Sequence, residues 1–183
     1  DENSPRITSM VFDEVLDHIV KLMSDPFGNY LCQKLLEYCT PAQRLQIVKK
    51  ISGYLVSISV NMHGTRAAQK LIDLLQNEEE ISIVRAALAD HVVQLIQDLN
   101  GNHVIQRCLN KLPPSSTQFI YDAVTREGNV IAVATHRHGC CVVQRCIDSA
   151  SDEQKMQLVN EVIRNALPLV KDPFGNYVVQ YVL

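Results

Sequence analysis

Tryptophan is absent from this 183-residue chain, and glycine and proline are scarce, at seven each. That excludes a collagen-like chain or a low-complexity linker. No apolar run reaches the roughly 18 residues that a membrane-spanning helix needs. Positive charge is not in excess: 17 Lys and Arg face 20 Asp and Glu, a net of −3. Binding to nucleic acid through bulk charge is therefore excluded, while a local basic stripe remains compatible with it. The opening Asp1-Glu2-Asn3-Ser4-Pro5 lacks the basic-then-apolar run of a signal peptide. Its six cysteines accordingly read as reduced cytosolic thiols rather than a disulfide framework. What is present, 46% apolar and 20% charged residues, is enough to bury a core. The length is about one domain's worth.

The chain repeats itself. Pro26-Phe27-Gly28-Asn29-Tyr30 returns as Pro173-Phe174-Gly175-Asn176-Tyr177, with His63-Gly64-Thr65-Arg66, Asn100-Gly101-Asn102-His103 and His138-Gly139-Cys140-Cys141 between them. The five glycines are spaced by 36, 37, 38 and 36 residues, a period typical of solenoid units. Aligned on that glycine, every unit carries glutamine five residues on: Gln33, Gln69, Gln106, Gln144 and Gln180. One residue on stand Asn29, Thr65, Asn102, Cys140 and Asn176; two on stand Tyr30, Arg66, His103, Cys141 and Tyr177. Six on stand Lys34, Lys70, Arg107 and Arg145, with Tyr181 breaking the pattern.

At about 100° per residue, offsets three, four, seven, eight and eleven cluster on one side of a helix, and offsets one, two, five, six and nine on the other. Each segment after a glycine is therefore an amphipathic helix. Asp25, Asn61, Asp98 and Asp172 are positioned to cap these helices, and His136 is a poorer cap in the fourth unit. A second apolar-periodic run precedes each glycine, as in Leu45…Ile47-Val48…Ile51. Pro41, Pro113-Pro114 and Glu78-Glu79-Glu80 mark breaks between units. Val56-Ser57-Ile58-Ser59-Val60 leaves a strand and a short helix or turn equally open. The expected architecture is one all-α stack of helical units over residues 1–183, with recognition helices starting near residues 28, 64, 101, 139 and 175.

Solvated surface rarely repeats one residue type, yet glutamine holds its place in all five units. Offsets one and five are an i,i+4 pair and can grip one planar base edge. Uracil's edge shows two acceptors flanking a donor, which amide side chains can meet. A small side chain opposite glutamine leaves room for adenine. The flat residue at offset two can stack on a base, and the cation at offset six can meet a phosphate. Together the columns describe single-stranded RNA recognition. The cations have a second reading: Glu37, Asp73, Asn110 and Asp148 follow them by three residues, mostly at ion-pair spacing.

Gly-Asn-Tyr-x-x-Gln, Asn-Gly-Asn-His-Val-Ile-Gln and His-Gly-Thr-Arg-Ala-Ala-Gln resemble repeats of the Pumilio-homology (PUF) family of RNA-binding proteins, over nearly the whole chain. The resemblance implies a right-handed α-solenoid superhelix in which each repeat binds one base. It further implies a monomeric, non-enzymatic cytoplasmic regulator of messenger RNA 3′ untranslated regions, recruiting deadenylase or translation-repressor proteins, with no cofactor. By the family's code, Asn29/Gln33, Asn102/Gln106 and Asn176/Gln180 are uracil pairs, and Thr65/Gln69 and Cys140/Gln144 are adenine pairs. The implied site is U-A-U-A-U within a UGUA-type element. Cys141 stands where the family often has arginine, which implies weaker stacking in the fourth unit. The family typically has eight repeats and this chain holds about five, stopping at Leu183 inside a recognition helix, so a partial array is expected.

Other chemistries fit less well. His136-Arg137-His138-Gly139-Cys140-Cys141 contains zinc-ligand residue types, but each falls in a column already explained. Cys32, Cys39, Cys108 and Cys146 align with apolar columns and read as buried small hydrophobes. The rival is an armadillo-like scaffold for an extended peptide. Such grooves resemble an asparagine ladder with tryptophans, and this chain has no Trp.

Overall fold

The structure, a computed structural model, describes residues 4–183. Asp1, Glu2 and Asn3, at the polar start of the chain, lie outside the described residues. The described chain is helical, without a strand, and forms two compact units, one ending at Leu88 and the other running from Ala89 to Leu183.

The first unit contains α1 (Ser4–Val15), α2 (Ile19–Met23), α3 (Gly28–Tyr38), α4 (Pro41–Ile51), α5 (Leu55–Val60), α6 (Gly64–Leu74) and α7 (Glu78–Leu88). The second contains α8 (Val92–Gln97), α9 (Gly101–Lys111), α10 (Pro114–Thr125), α11 (Asn129–Ala134), α12 (Gly139–Ser149), α13 (Asp152–Arg164), α14 (Ala166–Val170) and α15 (Gly175–Val182). The five recognition helices begin at the five periodic glycines, as the sequence predicts. The upstream apolar run is a long helix followed by a short one. Tight 3₁₀ turns at Leu16–His18, Ser52–Tyr54 and Ala89–His91 separate the two. Between α10 and α11 the chain instead reverses through Gly128, whose φ of +80° favours glycine. Val56–Val60 lies in helix α5: its apolar residues Leu55 and Ile58 are buried three apart, a helical spacing.

The break signals turn out to be helix starts. Pro41 and Pro114 open α4 and α10, where a missing N–H costs nothing. Thr40 and Gln43 form a reciprocal capping box, as do Ser151 and Gln154. Glu78-Glu79-Glu80 form the first turn of α7, favourable for negative charge.

Within the first unit α3 packs beside α6 and α4 beside α7; within the second α9, α12 and α15 pack in succession and α10 lies against α13. Each unit thus has a layer of recognition helices and a layer of first helices. Ile47, Ile51, Leu71 and Ile72 fill the first core, and Leu95, Val104, Val143 and Leu158 the second. Burial of each such side chain contributes roughly 1.5–3 kcal/mol.

The periodic glycines mark the closest approach between helices. A Cβ on Gly28, Gly64, Gly101, Gly139 or Gly175 would lie 2.9, 2.5, 2.9, 2.0 or 2.8 Å from the carbonyl oxygen six residues earlier. A side chain there would push the recognition helix off the short helix before it.

One polar contact is buried in the first-helix layer. Arg44 on α4 donates from Nε to Glu80 on α7 at 3.0 Å, and the two side chains are 4% and 0% exposed. Arg44 also donates to the Gln76 side-chain oxygen at 3.0 Å, and the other Glu80 oxygen accepts from the Gln76 backbone N–H at 3.0 Å. In the second unit the contact between α10 and α13 uses neutral amides instead. Gln154 donates to the Pro114 carbonyl at 2.7 Å and to Gln118 at 3.1 Å.

Candidate nucleic-acid interface

The entry to each recognition helix is built from side chains three before and one and five after the glycine. Asp25 accepts from the N–H groups of Phe27 and Gly28 at 2.9 and 2.7 Å. Asn61, Asp98 and Asp172 repeat the pattern at 2.7–2.9 Å. The expected caps are therefore present, although they hold the turn leading into the helix. In the fourth repeat His136 accepts one N–H, from His138, at 3.2 Å; it is the poorer cap the sequence suggests.

The Gly28 and Phe27 N–H groups hold the Asp25 carboxyl below the usual carboxylate range. A depressed folded pKa contributes stability above the unfolded value, and that contribution is lost as pH falls through the folded one. Asp25→Ala is expected to lower the melting temperature at neutral pH. In thermal melts across a pH series the gap to wild type should close as the solution is acidified.

The helical period puts offset one on the polar face, and the structure differs, burying it in four of the five repeats. Asn29 is 1% exposed and Asn102 4%, and Thr65 and Cys140 are also buried. Hydrogen bonds drawn back into the preceding turn make this burial tolerable. Asn29 donates both amide hydrogens, to the Asp25 and Pro26 carbonyls at 2.8 and 3.0 Å. Asn102 does the same to Asp98 and Leu99 at 2.8 and 2.9 Å, and Asn176 to Asp172 and Pro173 at 2.8 and 2.9 Å. The asparagine oxygen then faces the glutamine one turn on. Gln33, Gln106 and Gln180 donate to it at 3.0, 2.9 and 2.8 Å. Gln69 donates to the Thr65 hydroxyl at 3.1 Å. The Cys140 thiol reaches the Arg137 carbonyl at 3.5 Å, and burial pushes its pKa up to about 11. Gln33, Gln69, Gln106 and Gln144 are half-buried and Gln180 is exposed. Offset one is the floor of each site and glutamine its rim.

The offset-two side chains Tyr30, Arg66, His103, Cys141 and Tyr177 are all exposed. Arg66 donates to the Tyr30 hydroxyl at 3.3 Å, so neighbouring members of this column touch in the first unit.

Three of the offset-six cations, Lys34, Lys70 and Arg145, are engaged by acids. Glu37 accepts from Lys34 of its own helix at 3.0 Å and from Lys70 of the next recognition helix at 2.6 Å. Lys70 first, then Lys34, holds the Glu37 carboxyl below its usual range. Asp148 lies 3.8 Å from Arg145 and accepts from the Tyr181 hydroxyl at 2.5 Å. This bond explains the break in the column: tyrosine keeps the tie to the preceding repeat without the charge. The ties between repeats escape a helical wheel drawn on one segment, because their partners lie 33 residues apart in sequence. Arg107 also takes part in a polar interaction.

Among the described residues no three His, Cys, Asp or Glu side chains are grouped to hold a metal ion. The His136 and His138 rings stand 5.5 Å apart, and the Cys140 and Cys141 sulfurs 3.9 Å. Cys32, Cys39, Cys108 and Cys146 are buried free thiols, and burial raises Cys32, Cys108 and Cys146 to about 12. No helix among the described residues is long and apolar enough to cross a membrane.

The model of the Pumilio-family RNA binding repeat matches residues 18–52, 54–86, 91–125, 129–163 and 165–183. Pumilio homolog 12 of Arabidopsis thaliana is 52% identical over 176 residues, 94% of this chain and 29% of its own. A Pumilio domain-containing protein of Schizosaccharomyces pombe is 55% identical over 173 residues, 94% of this chain and 25% of its own. Among solved structures, the Puf4 RNA-binding domain bound to the HO endonuclease RNA 3′ UTR recognition sequence superposes with a TM-score of 0.93 at 50% identity. It is matched over 97% of this chain and 54% of its own. The RNA-binding domain of yeast Puf5p bound to SMX2 RNA gives 0.92 at 37% identity, over 97% of this chain and 50% of its own. The chain thus spans about half of these domains and under a third of these two curated relatives. With five repeat matches covering most of the chain, and the glycine and glutamine columns recurring in each, the chain belongs to the Pumilio family of RNA-binding repeat proteins.

Proposed function

We propose that this chain binds single-stranded messenger RNA sequence-specifically, one base per repeat, and serves post-transcriptional repression or decay of its targets. The reading takes residues 1–183 as one continuous repeat array. Its base-edge residues are the offset-one and offset-five pairs from Asn29/Gln33 to Asn176/Gln180, and its stackers Tyr30, Arg66, His103, Cys141 and Tyr177. Lys34, Lys70, Arg107 and Arg145 are the candidate phosphate contacts. The expected core is U-A-U-A-U within a UGUA-type element of a 3′ untranslated region. The setting is a cytoplasmic monomer that recruits deadenylase or repressor proteins without catalysis of its own. The RNA-bound relatives support an RNA ligand.

The observation that carries the base assignment is the prearranged Asn–Gln pair. Both asparagine hydrogens are committed to backbone carbonyls, so this side chain offers a base only its oxygen. Glutamine retains one N–H beyond the hydrogen it gives to asparagine. An acceptor beside a donor meets the N3–H and one carbonyl of uracil. Adenine presents the reverse order and is larger, which favours the small Thr65 and Cys140 in the same place.

Replacing the central pair tests the code. Asn102→Ser with Gln106→Glu is expected to move the preference at the middle base from uracil to guanine, by about 1–3 kcal/mol of discrimination. Fluorescence titration against oligomers differing at that base reads the shift, and an unchanged preference for uracil rejects the assignment.

A further inference from the structure

We propose that the acids nine places after the repeat glycine, Glu37 and Asp148, are specificity-determining residues that restrain sequence-independent RNA binding by masking the offset-six cations. The inference rests on the RNA reading above.

Glu37 holds two cations from two successive recognition helices, Lys34 at 3.0 Å and Lys70 at 2.6 Å. Asp148 occupies the same place in the second unit, 3.8 Å from Arg145, and binds Tyr181 at 2.5 Å. In the last repeat the tie to the preceding acid is kept while the cation is gone. Attachment to the acid, rather than free positive charge, is thus what Lys70 and Tyr181 share. The paired side chains are partly exposed, Lys34 at 64% and Glu37 at 34%, and exposed pairs add little to stability. Their larger consequence is in the field that RNA meets. A carboxylate in contact with an ammonium cancels most of its attraction for a phosphate several ångströms away, within the screening distance of about 8–10 Å where that attraction acts.

Non-specific binding is essentially all phosphate electrostatics, whereas specific binding also draws on base contacts. Masking the cations therefore weakens the first more than the second. A scrambled RNA can settle its backbone wherever charge is available, while a docked cognate RNA has its path fixed by its bases. The net charge of −3 is in keeping with a binder that does not rely on phosphate attraction.

Glu37→Gln is tested on the 1–183 chain with two RNA oligomers of equal length and composition, one carrying U-A-U-A-U and one scrambled, across a salt series. Scrambled RNA should bind about tenfold more tightly at low salt and cognate RNA less than threefold. The scrambled salt slope should steepen by about 0.7 for each cation released. Lys70→Gln added to Glu37→Gln should reverse part of the gain. Glu79→Gln makes the same change of charge but frees Lys49, its 2.8 Å partner on α4, away from the recognition helices; it should leave scrambled binding unchanged. Scrambled binding that is unchanged or weaker in Glu37→Gln overturns the proposal, weaker binding meaning that the acids aim the cations at RNA. An equal gain in Glu79→Gln overturns it too, by reducing the effect to net charge. If wild type does not prefer the cognate oligomer, the base code fails instead, and the salt slopes on scrambled RNA still decide the masking.

Discussion

Glu80→Ala is expected to lower the unfolding free energy by about 3–5 kcal/mol, because it strands the Arg44 guanidinium in the core. Arg44 is 4% exposed and Glu80 fully buried, and each is held by further bonds to Gln76. Removing one ion leaves the other without water or counter-charge. The double variant Arg44→Met with Glu80→Leu behaves differently, since exchanging a whole buried pair for apolar side chains of similar volume is often neutral or stabilising. Urea midpoints of the two variants beside wild type make the comparison. A double variant as unstable as Glu80→Ala would show that the pair itself, rather than the stranded charge, carries the stability. The pair joins α4 to α7, so its loss should loosen the first-helix layer of the first unit.

Gly139→Ala is expected to be the most disruptive single methyl in the chain. The added Cβ would sit 2.0 Å from the Val133 oxygen and 2.8 Å from its carbonyl carbon. Both are backbone atoms of α11, so no rotamer relieves the clash and α12 must move. Overpacking typically costs about 1–3 kcal/mol, and a clash with backbone belongs at the upper end. Cys140 is the next residue, so the displaced helix carries a proposed base-edge position with it. Thermal melts should show the lost stability, and titration should show weaker binding of RNA with adenine at that site. Gly53→Ala is the matched control: nothing lies within 4 Å of its added Cβ, and the melting temperature should stay close to wild type. Equal behaviour of the two variants would remove close packing as the reason for the glycine period.

Much of this was legible in the sequence because the repeat turns local chemistry into columns. The glycines announced the recognition helices, and Asp25, Asn61, Asp98 and Asp172 announced the turns they hold. Val56–Val60 was ambiguous because a short β-branched run fits either period; its helical state follows from burial against α6 and α7. The burial of Asn29 and Asn102 was missed because a wheel projects side chains outward, whereas an asparagine at a helix entry can fold back onto the carbonyls of its own turn. Arg44 and Glu80 left no signal at all. They are 36 residues apart in sequence, and the second unit has Thr117 in place of Arg44 and Gln154 in place of Glu80, so no column marks them. The pairs within one helix, Lys34–Glu37 and Arg145–Asp148, were legible from their spacing of three, whereas the tie from Lys70 back to Glu37 across two repeats was hidden.

The asparagine anchors link what a repeat reads to how firmly it is built. In three repeats the side chain proposed to face a base also ties down the turn beneath it through two carbonyls. In the fourth, a thiol at 3.5 Å from one carbonyl stands in that place, above a histidine cap. Rewriting a letter at offset one therefore also rewrites the fastening of its own turn. Arrays spelled with many thiol or hydroxyl letters would be softer than arrays spelled in asparagine, whatever RNA they meet.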